Sequence, residues 1–322
     1  MGERLFHSGM AHAHHHHHTL HVEDLGQIPP HLARLMRLAS YASVGIASIL
    51  VIAKLVVWWI SDSLAIFSSL TDSLFDVLVS VMNMIALRYA LKPADNEHRF
   101  GHTAIEDIVG LAQFAFITAS MIIIILQSTE RLFNPVPLEH EMLGIAVSTA
   151  SMMLTGILVA FQGYVARKTN SLIVASDRLH YLGDVLFNLG VIVALALSLY
   201  LGWLWADPVI AIIIALAIMI STLEIGTRAF NNLMGREMPD AEKERLRSAV
   251  AGVAGVLGYH KLRTRYMGTK PIIQLHIDLD EHISFADAHR ITDAVEAAIL
   301  QTWPNADVIV HGDPGAHTHT HA

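Results

Sequence analysis

Between about residue 38 and residue 230 the chain reads as long apolar runs broken only by short polar loops. A bilayer core takes about 20 apolar residues per helix. Six segments reach that length, near 39–60, 64–91, 104–127, 141–166, 178–201 and 206–230. Lysine and arginine gather on alternate loops. Arg34 and Arg37 precede the first span, Arg88, Lys92 and Arg99 follow the second, and Arg167 and Lys168 follow the fourth; the other three loops offer only Arg131. The excess of positive charge on one side of the membrane predicts that both termini are cytoplasmic.

After Arg236 the pattern changes to that of a soluble domain. Pro239-Asp240-Ala241-Glu242 opens a helix whose apolar periodicity runs to Val253. Tyr259–Tyr266 and Pro271–Asp280 read as strands about a turn at Gly268, Phe285–Trp303 as a helix and Asp307–His311 as a last strand. The order α-β-β-α-β predicts a small open sheet with helices on one face. Alternation puts Ile273, Leu275, Ile277 and Leu279 on the covered face, with Val308 and Val310. It puts Gln274, His276 and Asp278 on the bare face, with Ile309, His311 and Asp313. The fold class is therefore an α-helical membrane protein of six transmembrane helices plus a C-terminal α+β domain.

Composition narrows the chemistry. Of 322 residues 53% are hydrophobic and 16% charged, and the mean hydropathy is +0.46. A net charge of −8 supplies no basic field for nucleic acid. The N-terminus is polar and His-rich, unlike a cleavable signal peptide. There is no cysteine, so any bound metal must be held by nitrogen and oxygen. The chain has 21 histidines, several in a run at His12 and His14–His18 and others at His317, His319 and His321; the irregular run is read as a native metal-collecting tail rather than a tag. Trp58 and Trp59 are expected at a membrane interface.

Ionisable residues inside the spans carry the function. Asp72 and Asp76 lie in the second apolar segment, His180 and Asp184 in the fifth. Each pair is spaced i, i+4, on one face of its helix. Three unpaired aspartates at mid-membrane would cost on the order of 8–10 kcal/mol, so such residues face a cavity and mark an ion path or a proton relay. Two helices giving two ligands each make a four-coordinate site of three oxygens and one nitrogen. That set suits zinc and accepts other first-row divalent ions. Ligands must be deprotonated to bind, so metal and protons compete for the same groups. An enzyme reading is disfavoured: His-Glu-x-x-His is absent, and four protein ligands leave no position for an activated water.

The stretches Leu-Thr-Asp-Ser-Leu-Phe-Asp around Asp72 and Ser-Asp-Arg-Leu-His-Tyr-Leu-Gly-Asp around His180 resemble the cation diffusion facilitator family, in register from about Arg37 to His311 and beyond. The resemblance is to its bacterial zinc and ferrous-iron efflux transporters. It implies a homodimer in the bacterial inner membrane, with a metallochaperone-like cytoplasmic domain on each protomer. It also implies export of a divalent transition metal by proton antiport, Zn2+ foremost, with Fe2+, Cd2+ and Mn2+ as alternatives. A metal-gated channel or a sensor without proton exchange is the competing reading. By position the resemblance implies a loop site at Asp95, His98 and His102, and a binuclear C-terminal site at His260, His276, His289, His311 and Asp313. Relatives pair a lysine and an acid at the junction of membrane and cytoplasm, where this chain has Ala104 and Gly235; Arg236 and Glu237 are the candidate replacements. The expected organisation is a His-rich tail (1–37), a transmembrane domain (38–232), a cytoplasmic metal-binding domain (233–316) and a second His-rich tail (317–322).

Overall fold

A computed structural model describes residues 28–61, 64–133, 142–203 and 205–315. Both His-rich stretches lie outside the described residues. Six long helices come first: α1 (Pro30–Ser61), α2 (Leu64–Ala90), α3 (Ile105–Phe133), α4 (Met142–Thr169), α5 (Leu172–Leu201) and α6 (Ala206–Leu233). Among the described residues, α1, α2, α3, α4 and α6 each contain a stretch long and apolar enough to cross a membrane. α5 carries Asp177, Arg178 and Asp184 within eight residues, ahead of a long apolar run to Leu201. Several helices outrun their apolar windows. α1 starts at Pro30 rather than near 39, because proline is preorganised for the first helical turn and His31, Arg34 and Arg37 are compatible with a helix though not with lipid. α5 starts at Leu172, six residues before the expected 178, because Leu172, Ile173 and Val174 are buried apolar residues that continue the helix ahead of the Asp177–Arg178 pair.

Two groups of helices emerge from the packing. Met36 and Ala39 of α1, Leu87 of α2, Val165 of α4 and Ile173 and Val174 of α5 share one buried cluster. Ile117 and Met121 of α3 pack with Ala215, Ile218, Ile225 and Ala229 of α6, and Leu172 and Leu179 of α5 complete that cluster. Large apolar side chains face outward along the helices, among them Met82, Leu126 and Ile220, as lipid contact requires. Trp59, 81% exposed near the end of α1, suits the expected interface position.

α6 ends in a left-handed cap. Gly235 has φ +69, and the Arg236 amide donates back to the Asn231 carbonyl. That conformation is the physical reason for a glycine where an acid was expected. The cytoplasmic domain follows as α7 (Asp240–Ala251), β1 (Gly258–Met267), β2 (Lys270–Leu279), α8 (Phe285–Thr302) and β3 (Asp307–Pro314). β1 pairs antiparallel and β3 parallel to the central β2. Ile273, Leu275, Ile277 and Leu279 are all buried against Leu246, Val250, Val295, Ile299 and Trp303 of the helices, as alternation predicts. β1 departs from alternation. One extra residue separates His260, paired with His276, from Arg263, paired with Gln274, and Lys261 takes φ +50 at this bulge. The bulge lets Tyr259 and Leu262 both reach the core while His260 turns to the bare face.

The two parts are joined where the β1–β2 turn meets the start of α3. The Gly268 amide donates to Asp107 Oδ2 at 2.7 Å and Asn232 Nδ2 to Asp107 Oδ1 at 2.8 Å. Thr103 Oγ1 donates to the Met267 carbonyl at 2.8 Å. Beside this joint Glu106, fully buried, accepts hydrogen bonds from Ser171 Oγ and the Leu172 amide, which ties α3 to the first turn of α5.

Candidate metal centres

α2 and α5 bring Asp76, His180 and Asp184 together, their ligand atoms all within 4.8 Å of one another. His180 Nε2 lies 3.0 Å from Asp76 Oδ1, and both side chains are less than one-fifth exposed. Asp72, one turn earlier on α2, stands exposed beside this trio and is not drawn into it. The nearby cation Lys54 does not neutralise the trio by direct bonding: it donates to Ser73 Oγ at 2.7 Å and to the Ser69 carbonyl at 3.1 Å. Arg178 packs beside Gly163 of α4. The arrangement is a cluster of oxygen and imidazole donors set in an apolar wall.

A second cluster lies in the loop between α2 and α3. Asp95 Oδ2 is 3.3 Å from His102 Nε2, Asp95 Oδ1 is 3.4 Å from His98 Nδ1, and all three residues fall in one group of metal-ligand spacing. The local fold makes this possible: Asp95 Oδ1 accepts from the amides of Glu97 and His98, which closes the loop back on itself. The Lys92 ammonium, bonded to Asp95 Oδ2 at 2.6 Å, and then the His98 amide hold the Asp95 carboxyl far below the usual carboxylate range. His102 is buried against Tyr89, while His98 is exposed.

The third cluster occupies the bare face of the sheet. His260, His276 and Asp313 form one group of metal-ligand spacing. Asp313 Oδ2 is 2.8 Å from His276 Nδ1 and 3.0 Å from His260 Nε2, and Asp313 Oδ1 is 3.1 Å from His311 Nε2. Register explains the convergence, since His276 is paired with both His260 and His311 across the sheet. Burial raises the Asp313 pKa, but the hydrogen bond from His276 and the charges of His276, His311 and His260 outweigh it, and the carboxyl sits below its ordinary value. His289 is not brought to this group. It stands two-thirds exposed on α8, the helix covering the opposite face, near Asp293 at 3.7 Å.

Two functional-looking carboxylates escaped the sequence reading. Asp278, 7% exposed, lies 3.2 Å from His260 Nδ1; its place on the bare face was legible, its partner was not, because the bulge in β1 sets His260. Asp177, 4% exposed on α5, is the other. An intramembrane aspartate is a signal in its own right, and this one falls just short of the window from which α5 was expected to begin.

A multi-pass membrane helical unit with an intramembrane Asp/His cluster, joined to a small sheet domain with its own His/Asp cluster, defines a metal-cation transporter. The chain belongs to the cation efflux family, also called the cation diffusion facilitators. The family model described as the cation efflux transmembrane domain matches residues 40–234, and that of the cation efflux protein cytoplasmic domain matches residues 238–315. The cation-efflux pump FieF of Salmonella choleraesuis (strain SC-B67) is 41% identical over 281 residues, covering 87% of this chain and 93% of that one. The FieF pump of Salmonella newport (strain SL254) matches with the same identity and coverage. Among solved structures, a nickel form of the MamM C-terminal domain is similar at 28% identity, covering 24% of this chain and 100% of that one, with a TM-score of 0.24.

Proposed function

We propose that the chain exports a divalent transition metal from the cytoplasm in exchange for protons, with Zn2+ as the chief cargo and Fe2+, Cd2+ and Mn2+ as alternatives. The observation that carries this reading is the convergence of Asp76, His180 and Asp184 from two membrane helices into one ligand group. Asp72, one helical turn away on the same face, supplies the fourth donor when a cation is present. The donor set is hard enough for these ions and contains no sulfur. The same atoms bind either protons or metal, so protonation from one side releases cargo and cargo entry releases protons. Residues 38–232 serve as the transporting unit and 233–316 as a cytoplasmic metal-binding unit, with both termini on the cytoplasmic side of a bacterial inner membrane. The loop group Asp95, His98 and His102 and the sheet group His260, His276, His311 and Asp313 hold further ions of the same kind, with His289 added in a homodimer.

The test is zinc uptake by proteoliposomes that carry a pH-sensitive dye. Zinc and protons should move in opposite directions. Asp76→Ala and Asp184→Ala should abolish zinc movement in protein that still purifies as a folded species. Zinc flux with no proton counterflow would favour a channel instead, and near-normal flux in either variant would rule out this site.

A further inference from the structure

Asp177 lies three residues before His180 on α5, and each of its contacts leads to a different helix. Ser43 of α1 donates from Oγ to Asp177 Oδ2 at 2.7 Å. Gln162 of α4 donates from Nε2 to the same oxygen at 2.6 Å and to Ser43 Oγ at 2.9 Å. Asn83 of α2 donates from Nδ2 to Asp177 Oδ1 at 2.8 Å. Asn83 Oδ1 in turn accepts from Gln113 Nε2 of α3. One turn further along α5, the hydroxyl of fully buried Tyr181 meets Ser80 Oγ of α2 at 2.6 Å. The facing helices α2 and α5 therefore meet through three polar pairs: Asn83–Asp177, Ser80–Tyr181 and Asp76–His180. Only the last belongs to the ligand group.

Both Asp177 oxygens are engaged by side-chain donors, so it is built as an acceptor hub rather than as a fourth ligand. In a bilayer these donors and acceptors find no water to replace a lost partner, which makes the pairs hard to break. What they fix is register. A slip of one residue would move α5 by about 1.5 Å and turn it by roughly 100°, carrying His180 and Asp184 off the face that meets Asp76. Metal ligands tolerate displacements of only about 0.2 Å.

We propose that Asp177 with Asn83, and Tyr181 with Ser80, are positioning residues that set the register of α5 on α2 and so hold His180 and Asp184 opposite Asp76 for the cation. The inference rests on reading Asp76, His180 and Asp184 as the transport site.

Full-length protein in proteoliposomes is assayed for initial zinc uptake across a range of zinc concentrations, separating half-saturation from maximal rate. Asp177→Asn should raise the half-saturating zinc concentration about tenfold, the lower end of what loss of a ligand-orienting contact costs. Tyr181→Phe should raise it severalfold. A contact that merely stabilised the fold would lower the yield of folded protein and leave half-saturation unchanged. The deciding variant is the double substitution Asn83→Asp with Asp177→Asn. It exchanges donor and acceptor across the pair: the new amide still accepts from Ser43 and Gln162, and the new carboxylate still accepts from Gln113. The double variant should return half-saturation to within about threefold of wild type. Wild-type half-saturation in Asp177→Asn, or a double variant as impaired as the single ones or unable to fold, would overturn the proposal. If Asp177→Asn alone fails to fold, Tyr181→Phe and the double variant decide by the same readout. Asp76→Ala separates the two claims: near-normal uptake there defeats the site reading, whereas loss there with normal Asp177→Asn and Tyr181→Phe defeats only the register clasp.

Discussion

A Cβ on Gly268 would lie 2.2 Å from the Thr103 carbonyl oxygen, and the residue also takes φ +60. Only glycine satisfies both conditions, and its amide is the donor that reaches Asp107. Gly268→Ala should therefore pull the hairpin turn off the start of α3 while leaving the cytoplasmic domain folded. Hydrogen–deuterium exchange in peptides around 103–107 and 266–270 should rise; unchanged protection would show that the joint does not depend on that approach. A second residue-scale effect concerns Lys92. Its ammonium occupies the Asp95 oxygen that faces His102, so it competes with a cation for the loop group. Both partners are substantially exposed, so water screens the pair and its competition with a cation is modest. Lys92→Gln should thus tighten metal binding at the loop about two- to fivefold, read by calorimetric titration against Asp95→Ala as the blank. Weaker binding in Lys92→Gln would mean that the lysine orders the loop rather than blocking it.

At the scale of elements, the convergence of Asp76, His180 and Asp184 was legible because i, i+4 pairs of charged residues have few other uses inside a membrane helix, although Asp72, the other member of the first pair, stands outside the group. Asp177 was harder to read, since the charged pair Asp177–Arg178 interrupts the apolar run and set the expected start of the span behind the true first turn at Leu172. In the sheet, alternation correctly put His276, His311 and Asp313 on one face. It could not place His260, because the extra residue at Lys261 shifts parity inside β1 and leaves no mark in composition. α8 shows a local device of another kind. Ser284 caps it by accepting from the Asp287 amide at 3.1 Å and donating to Asp287 Oδ2 at 2.6 Å. The hydrogen bond from Ser284, and then that from Arg290, hold the Asp287 carboxyl below its ordinary value. A depressed folded pKa gives stability that is present above the unfolded carboxylate value of about 3.9 and lost as pH falls through the folded one. Residues 238–315 contain a complete core of their own, so this can be measured on the separate domain by urea unfolding with Trp303 fluorescence. Ser284→Ala should cost about 1 kcal/mol at neutral pH. Asp287→Asn should flatten the decline in stability below about pH 4. An unaltered acid limb in Asp287→Asn would assign that decline to other carboxylates.

For the whole molecule, the open question is what draws two copies together once the charged junction contact is missing. Gly235 is committed to the α6 cap, and Ala104 has no charge to offer. Of the candidate replacements, Glu237 is already 3.4 Å from Lys243 within its own chain. The bare sheet face remains. It presents His276, His311 and Asp313 in one patch with exposed Ile309, and a symmetric partner would meet it with the same groups. Each copy is acidic overall, so association of two bare faces is opposed by charge until a cation intervenes. Metal bound at His260, His276 and Asp313 supplies that cation. Zinc should therefore strengthen self-association of the 238–315 domain in sedimentation equilibrium by about tenfold or more, the range by which one ligand's binding typically favours another's. His276→Ala with His311→Ala should remove that dependence. In the full chain the double variant should lower transport without abolishing it, because Asp76, His180 and Asp184 are untouched. If zinc leaves the wild-type association constant unchanged, the sheet cluster is a metal buffer rather than a clamp, and the protomers must be held together through the membrane helices alone.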